Sequence, residues 1–512
     1  LYLSKKYDIL KTSSNWRYKM ENIPKVKLGI VAVSRNCFSI ELSKNRRNAV
    51  VEDCKRKNIP IVCISTIVET ENDVNKAIKE IEEKNINALV VYLGNFGPEG
   101  PTSILIQKFN GPVMVVGAAE ESSKTLMRGR GDAYCGMLNL SYNLSLRYLK
   151  PYIPSSPVGT SDEIADMIEE FIPIARVILG VKKLKIFTFG PRPQDFITCN
   201  APIKPLYDLG VEIMENSELD LYDIYRSAEN DKEVDLVLKD MEKELGKKNI
   251  YPDLLKKQAQ YEVALLKFFK ENLGTCEFAV FANKCWPTFE KYFEFVPCYN
   301  NSRLASKGIP VSCEVDVYGA LSEYIMTCAT EYPVTLLDIN NTVPYDMYKS
   351  NKKKVKNYKP KDLFMGFHCG NTPSCLMDNF AIKYQFIMHS LMEKGKEPNI
   401  TRGTMEGKIK PGNITIFRLQ STADANLRSY VAEGEVLDID PKSFGSIGVF
   451  AISEMDRFYR YVLIEKQFPH HTAVGFKHIG KVLFSVAKML GIKETYFNLP
   501  KNTYYEDENP FM

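Results

Sequence analysis

The sequence predicts an α/β protein: two doubly wound α/β domains followed by a β-rich, barrel-like C-terminal domain. Three observations predict it. Continuous apolar runs alternate with helical spacings through the first part of the chain. The alternation restarts near residue 175. From about residue 360 it gives way to short segments punctuated by glycine and proline. Strands that are apolar without a break belong to parallel sheets covered on both faces, and helices between them complete the βαβ units. Domain borders are expected at 1–170, 171–350 and 351–512.

The elements follow in order. KLGIVAVSRNC (27–37) predicts a buried strand ending in a polar loop, and SKNRRNAVVEDCKRKN a helix. IPIVCIS (59–65), NALVVYLG (87–94) and PVMVVGAA (112–119) predict three more strands, with a helix over NDVNKAIKEIEEKNI. Ligands of such sheets meet the loops at the carboxyl ends of strands, here SRNC, LGNFGPEG and GAAEESS. KKLKIFTFG (182–190) starts the second unit, and residues 251–273 have a long helical pattern. EFAVFANKCWPTF (277–289) predicts a strand entering a functional loop. DVYGALSEYIMTCATE predicts a helix and PVTLLDIN the strand after it. MGFHCGNTP, GTMEGKIKPGNITIFRLQS and RSYVAEGEVLD carry the β-rich texture, and HIGKVLFSVAKMLG a late helix.

Bulk properties exclude several functions. Among 512 residues, 67 basic and 63 acidic side chains give a net charge of +4. So even a balance gives no footprint for nucleic acid or a membrane surface, and no apolar run reaches the ~20 residues of a membrane span. The opening LYLSKKYDILKTSSNW lacks a signal-peptide pattern. The 12 cysteines have no CxxC spacing and are expected as reduced thiols in the cytoplasm. Neither GxGxxG nor GxxxxGK[ST] occurs, so no dinucleotide or phosphate cradle is expected. RGRGD (128–132) has the wrong spacing for either; Arg128 and Arg130 could hold an anion or pair with neighbouring carboxylates. GxSxG is absent, and Cys285, Cys313 and Cys369 are expected to pack rather than react.

What remains is a set of polar residues beside apolar runs: Glu314, Asp338, His368, His470 and His471. A carboxylate there is costly unless something pairs with it. Two carboxylates with one or two imidazoles and no thiolate at motif spacing suit manganese, cobalt or magnesium better than structural zinc. Capping or salt bridging accounts equally for the carboxylates, a satisfied buried imidazole for His368, and a surface turn for the doublet.

The stretches GRGDAYCG (129–136), CWPTF (285–289), CEVDVYGALS (313–322), LLDINN (336–341), FHCGN (367–371) and FPHHTAV (468–474) resemble the L-fucose isomerase and L-arabinose isomerase superfamily, in family order and over nearly the whole chain. An aspartate at 338 makes the resemblance closer to the fucose branch. It implies a cytoplasmic, hexameric, three-domain aldose–ketose isomerase needing a divalent metal, with Mn2+ first and Mg2+ or Co2+ as alternatives. It implies Glu314, Asp338 and His471 as metal ligands, Glu314 and Asp338 also as the catalytic acid/base pair, and His368 as a ligand or site-lining residue. His470, Trp286, Arg128 and Arg130 are expected near the substrate, a monosaccharide. Trp16, Arg35 and Asn36 are expected to reach a neighbouring subunit's cleft. Two other functions compete: a two-lobed sugar-binding protein, and a glycosidase using Glu314 and Asp338.

Overall fold

The computed structural model describes residues 20–509 and 511, and forms two compact units. Trp16 lies outside the described residues. One unit comprises Pro24–Leu179 with Ser485–Gly491. Its sheet is parallel, in the order β2 (Val62–Cys63), β1 (Leu28–Val33), β3 (Ala88–Leu93), β4 (Val113–Ala118), β5 (Val158–Gly159). Every residue of β1, β3 and β4 is buried, as their unbroken apolar character requires. The second predicted strand, 59–65, narrows to two residues at the sheet edge, where half the backbone groups have no neighbouring strand.

The RGRGD loop of this unit binds an anion, but one of its own. Gly131 and Asp132 donate their amides to Glu120 Oε1 at 2.8 and 3.0 Å, and Arg46 reaches Glu120 Oε2 at 2.8 Å. Arg130 pairs with Asp132 at 3.4 Å, and Arg128 is exposed. Arg35 lies 4.7 Å from the Phe96 ring centre and 3.9 Å from Glu99, while Asn36 is exposed.

The other unit comprises Gly180–Phe484, Ile492 onward, and the described residues before Pro24. Asn22 ties that leading segment down, donating to Ala279 O at 2.8 Å and Gly308 O at 2.9 Å. A four-stranded parallel sheet runs in the order β7 (Glu212–Ser217), β6 (Leu184–Gly190), β8 (Phe278–Ala282), β9 (Val311–Ser312). Its core is aromatic: Phe187, Phe189 and Phe281 pack with Tyr261, Phe289, Phe293 and Phe295.

Beyond it lies a mixed sheet of nine strands: β12 (Met377–Tyr384), β13 (Arg402–Ile409), β16 (Ser446–Ala451), β11 (Leu363–His368), β10 (Thr335–Thr342), β17 (His471–Gly475), β14 (Gly412–Ser421), β15 (Leu427–Leu437) and β18 (Glu494–Phe497). β15 also pairs with β16, so the pairings from β16 through β11, β10, β17, β14 and β15 return to their start. Ile414, Ile416, Val436, Phe450 and Val474 fill the core beneath. Among the described residues no helix is long and apolar enough to cross a membrane.

A buried ionic cluster fixes the helix Cys298–Ser306, which feeds β9. Arg303 donates Nε to Glu262 at 2.7 Å, Nη1 to Glu244 at 2.5 Å and Nη2 to Asp240 at 2.8 Å, and Lys307 reaches Glu262 at 2.5 Å. Burial alone would raise the Glu262 carboxyl; Arg303 and Lys307 instead bring it down to about 2. A depressed carboxyl contributes stability above its unfolded value, near 4.5, and loses it as pH falls toward about 2. Glu262→Gln should therefore cost about 3–5 kcal/mol above pH 5, because it leaves Arg303 short of its counter-charge. The gap to the parent protein should shrink between pH 4.5 and 2, as read by calorimetric unfolding across that range.

Candidate metal centre

Three adjacent strands carry three of the candidate residues. His368 ends β11, His471 begins β17, and Asp338 lies on β10 between them, paired across the sheet with His471 on one side and Phe367 on the other. The sequence predicted a strand over PVTLLDIN. β10 in fact continues to Thr342, with a register shift between Ile339 and Asn341. The backbone stays paired there while the face of the strand changes.

Glu314 arrives from the parallel sheet. The chain leaves β9 through a tight turn, Cys313–Val315, in which Glu314 and Val315 hold φ of 54° and 57°. The left-handed region is unfavourable for both, most of all for a β-branched valine. The Val315 amide is anchored on Asn283 O at 2.9 Å. The turn presents Glu314 Oε2 to His471 Nε2 at 3.3 Å and to His368 Nε2 at 3.7 Å. Asp338 Oδ1 lies 3.5 Å from His471 Nε2 and 3.7 Å from His470 Nε2.

His471 is held from behind. Its Nδ1 lies 2.9 Å from Asp316 Oδ2, and Arg418 grips Asp316 with two bonds of 2.6 and 2.9 Å. Gln420 Oε1 accepts from Arg418 Nε at 3.0 Å. Asp316 also caps the helix Val317–Thr330, accepting from the Gly319 amide at 2.9 Å. A side chain at 319 would place its Cβ 2.6 Å from Asp316 Oδ2 and 2.5 Å from Ser312 Oγ, so only glycine lets this carboxylate lie where it does.

With Asp316 accepting at Nδ1, that nitrogen carries a proton, and in the neutral ring Nε2 is the nitrogen that offers a lone pair. His368 has the opposite arrangement: its Nδ1 accepts the Cys369 amide at 2.9 Å, so in the neutral ring Nε2 keeps the proton. The two imidazoles therefore face Glu314 with opposite hydrogen-bonding characters.

Burial would raise the Glu314 carboxyl, but His368 and His471 draw it down to about 2. Burial opposes a charge on His471, yet Asp316, Cys199 and Glu314 hold its second proton well above the usual imidazole range; that proton stands at Nε2, and a cation ligated there would take its place. Burial and the neighbouring His471 push His470 down to about 4. Glu323, on the helix that Asp316 caps, is pushed up to about 8 by burial and by Asp316.

Glu314 Oε2 and Asp338 Oδ1 are both buried without a hydrogen-bond partner. Two orphaned carboxylate oxygens facing one imidazole nitrogen form a donor set that fits a divalent cation. Asp338, His368 and His471 offer ligand atoms within 4.8 Å of one another, as do Cys313, Glu314 and His368.

The site opens on one side. Side-chain exposure rises from 1% at His471 through 9% at Glu314 and 19% at Asp338 to 34% at His470, so the cluster is most exposed at His470. An aromatic wall stands there: Phe196 meets His470 edge-on at 6.1 Å and half-buried Trp286 at 5.7 Å. Cys199, on the same loop as Phe196, puts Sγ 3.9 Å from His471 Nδ1.

Sequence reasoning placed five residues in one cluster, and the structure brings Glu314, Asp338, His368, His470 and His471 together. It missed Asp316, Arg418, Cys199 and Phe196. Arg418 did leave a signal, a lone charge inside the apolar run ITIFRLQ. Arg35, Asn36, Arg128 and Arg130 belong to the other compact unit.

Two family profiles match the chain: "Fucose/sulfoquinovose isomerase, N-terminal domain" over residues 29–182 and "L-fucose isomerase, C-terminal domain" over residues 366–498. The sulfoquinovose isomerase of Priestia aryabhattai is 22% identical over 472 residues, covering 90% of this chain and 97% of that protein. That of Alkalicoccus urumqiensis is 24% identical over 352 residues, covering 67% and 70%. That of Clostridium sp. strain MSTE9 is 27% identical over 241 residues, covering 45% and 47%. The isomerase profiles at both ends of the chain favour neither a non-catalytic sugar binder nor a glycosidase. The chain belongs to the L-fucose isomerase-like family and is a sugar aldose–ketose isomerase.

Proposed function

We propose that the chain interconverts a free, unphosphorylated aldose and its ketose through an ene-diolate, at a divalent ion held by Glu314, Asp338 and His471. The observation that carries this is the convergence of two unpartnered carboxylate oxygens on His471 Nε2, at 3.3 and 3.5 Å. What the ion supplies when bound is stabilisation of the negative charge that builds on the sugar O1 and O2. Glu314 and Asp338 serve as the acid/base pair: one carboxylate takes the proton from C2 and returns it to C1, while the other carries the hydroxyl proton from O2 to O1, so that two hydrogens change place and no proton is left over. His368 holds a substrate oxygen through a hydrogen bond from its Nε2–H. The wall of Phe196, Trp286 and His470 covers the sugar's apolar face and limits water. Oxygen and nitrogen donors favour Mn2+, with Mg2+ or Co2+ as alternatives. The substrate we propose is sulfoquinovose or a close relative, a six-carbon aldose with an anionic end, because the named relatives are sulfoquinovose isomerases.

The deciding experiment is an isomerisation screen with Mn2+, comparing sulfoquinovose with L-fucose, L-arabinose, D-arabinose, D-altrose, L-rhamnose and phosphorylated aldoses. Turnover of a phosphorylated aldose with none of the free sugars converted overturns the proposal. Glu314→Gln should lower turnover by about 100- to 10,000-fold and reduce bound metal, measured by elemental analysis. Unchanged stoichiometric metal in that variant removes Glu314 from the ligand set. Asp316→Asn should weaken metal affinity by about 10- to 100-fold, because His471 loses the carboxylate that orients it; equilibrium dialysis reads this directly.

We further propose a cytoplasmic homo-oligomer, with the hexamer as the expected form, in which Arg35, Asn36, Arg128, Arg130 and Trp16 serve a neighbouring subunit's site. The support is an apolar stripe on the helix Ala133–Leu146, where Tyr134, Leu138, Tyr142 and Leu146, four residues apart, are 62–75% exposed. Such a face is costly in water and marks an interface. Leu138→Asp should shift light-scattering mass toward the 58.4 kDa monomer; a parent protein fully active at that mass ends the proposal.

A further inference from the structure

A half-buried arginine stands without a partner in the loop that borders the centre. The chain leaves β6 at Gly190, beside Val315, and returns at Cys199, under His471. Phe196 of this loop forms the open side of the site with Trp286 and His470. Arg192 lies between the two anchors. Its Nε is buried and bonds to nothing, and among the described residues it has no ion-pair partner. The buried arginines Arg46, Arg47, Arg303 and Arg418 all have oxygen partners. A shielded N–H left unpaired is unfavourable, and a guanidinium is the group best matched to a planar or tetrahedral oxyanion.

We infer that Arg192 is a specificity-determining residue that binds the anionic end group of the substrate, the end remote from the carbonyl carbons. This rests on the isomerase reading of the centre and deepens it. It assigns anion recognition to the loop after β6, where sequence reasoning looked to Arg128 and Arg130. The sugar would lie with C1 and C2 at Glu314, Asp338 and His471, its ring against Phe196 and Trp286, and its charged end toward Arg192.

The test uses the full chain loaded with Mn2+ and compares a 6-sulfonated aldose with the uncharged 6-deoxy aldose of the same configuration, by calorimetric binding and by turnover. The parent protein should bind the sulfonated sugar about ten- to a hundredfold more tightly than the neutral one. Arg192→Gln should abolish that preference while leaving the neutral sugar's KM unchanged, and Arg192→Lys should restore part of it. Inorganic sulfate should compete with the sulfonated sugar in the parent protein and not in Arg192→Gln. Loss of the preference in Arg128→Gln or Arg130→Gln, with Arg192→Gln retaining it, overturns the assignment; so does an equal loss for both sugars in Arg192→Gln. Charge-dependent binding that needs Arg192 but leads to no turnover supports the assignment and instead overturns the isomerase reading.

Discussion

The centre depends on one buried line of charges, Arg418 to Asp316 to His471. None of the three is tolerable alone in the interior: each is at most 1% exposed, and an unpaired ion there costs several kcal/mol. Together they close. Arg418 satisfies Asp316 with two bonds, and Asp316 accepts a hydrogen bond from the Nδ1–H of His471. The Gly319 amide and Gln420 accommodate the remaining groups. The consequence is directional. With Nδ1 committed, His471 can turn only Nε2 toward Glu314 and Asp338, so its ring orientation is set before any ligand arrives.

Topology does the rest of the positioning. His368, Asp338 and His471 stand on neighbouring antiparallel strands whose register is fixed by packing on both sides. A slip of one residue would send Asp338 to the opposite face. Glu314 comes from another sheet and has no such register to rely on. Its placement is bought with backbone strain, two successive residues at positive φ, at a cost of about 1–3 kcal/mol each. The Arg303 cluster and the aromatic core of the parallel sheet hold the elements on either side of that turn, and so can sustain the strain.

Much of this was legible in the sequence. The unbroken apolar runs of β1, β3 and β4 marked a parallel sheet because burial on both faces leaves no room for alternation. The carboxylates and histidines stood out because such groups are rare beside apolar runs. Asp316 was hidden by a sufficient local explanation, since an aspartate ahead of VYGALSEYIM satisfies helix capping and needs no second role. Phe196 and Cys199 were hidden differently. They lie in an irregular loop, GPRPQDFITCN, with no periodicity to say which side chains face inward. The pairing of β15 with β16 was likewise unreadable, because strand order in a mixed sheet is a matter of long-range contact rather than local pattern.

The thiols around the centre explain why a set of oxygen and nitrogen donors persists amid so much sulfur. Cys313, Cys369 and Cys199 all border Glu314 or His471, and a thiolate would compete for a cation. Burial raises the Cys313 thiol well above its usual range, and the Glu314 carboxylate raises it further; burial does the same for Cys369, with Cys285 and Glu314 adding to it. Burial also raises Cys199, against the pull of His471. A thiol must lose its proton to ligate. Placing these sulfurs in a dry pocket that already holds two carboxylates keeps them protonated and uncharged. They fill space as small apolar groups, and in the proposed centre ligation falls to the carboxylates and to the imidazole whose Nε2 Asp316 turns inward.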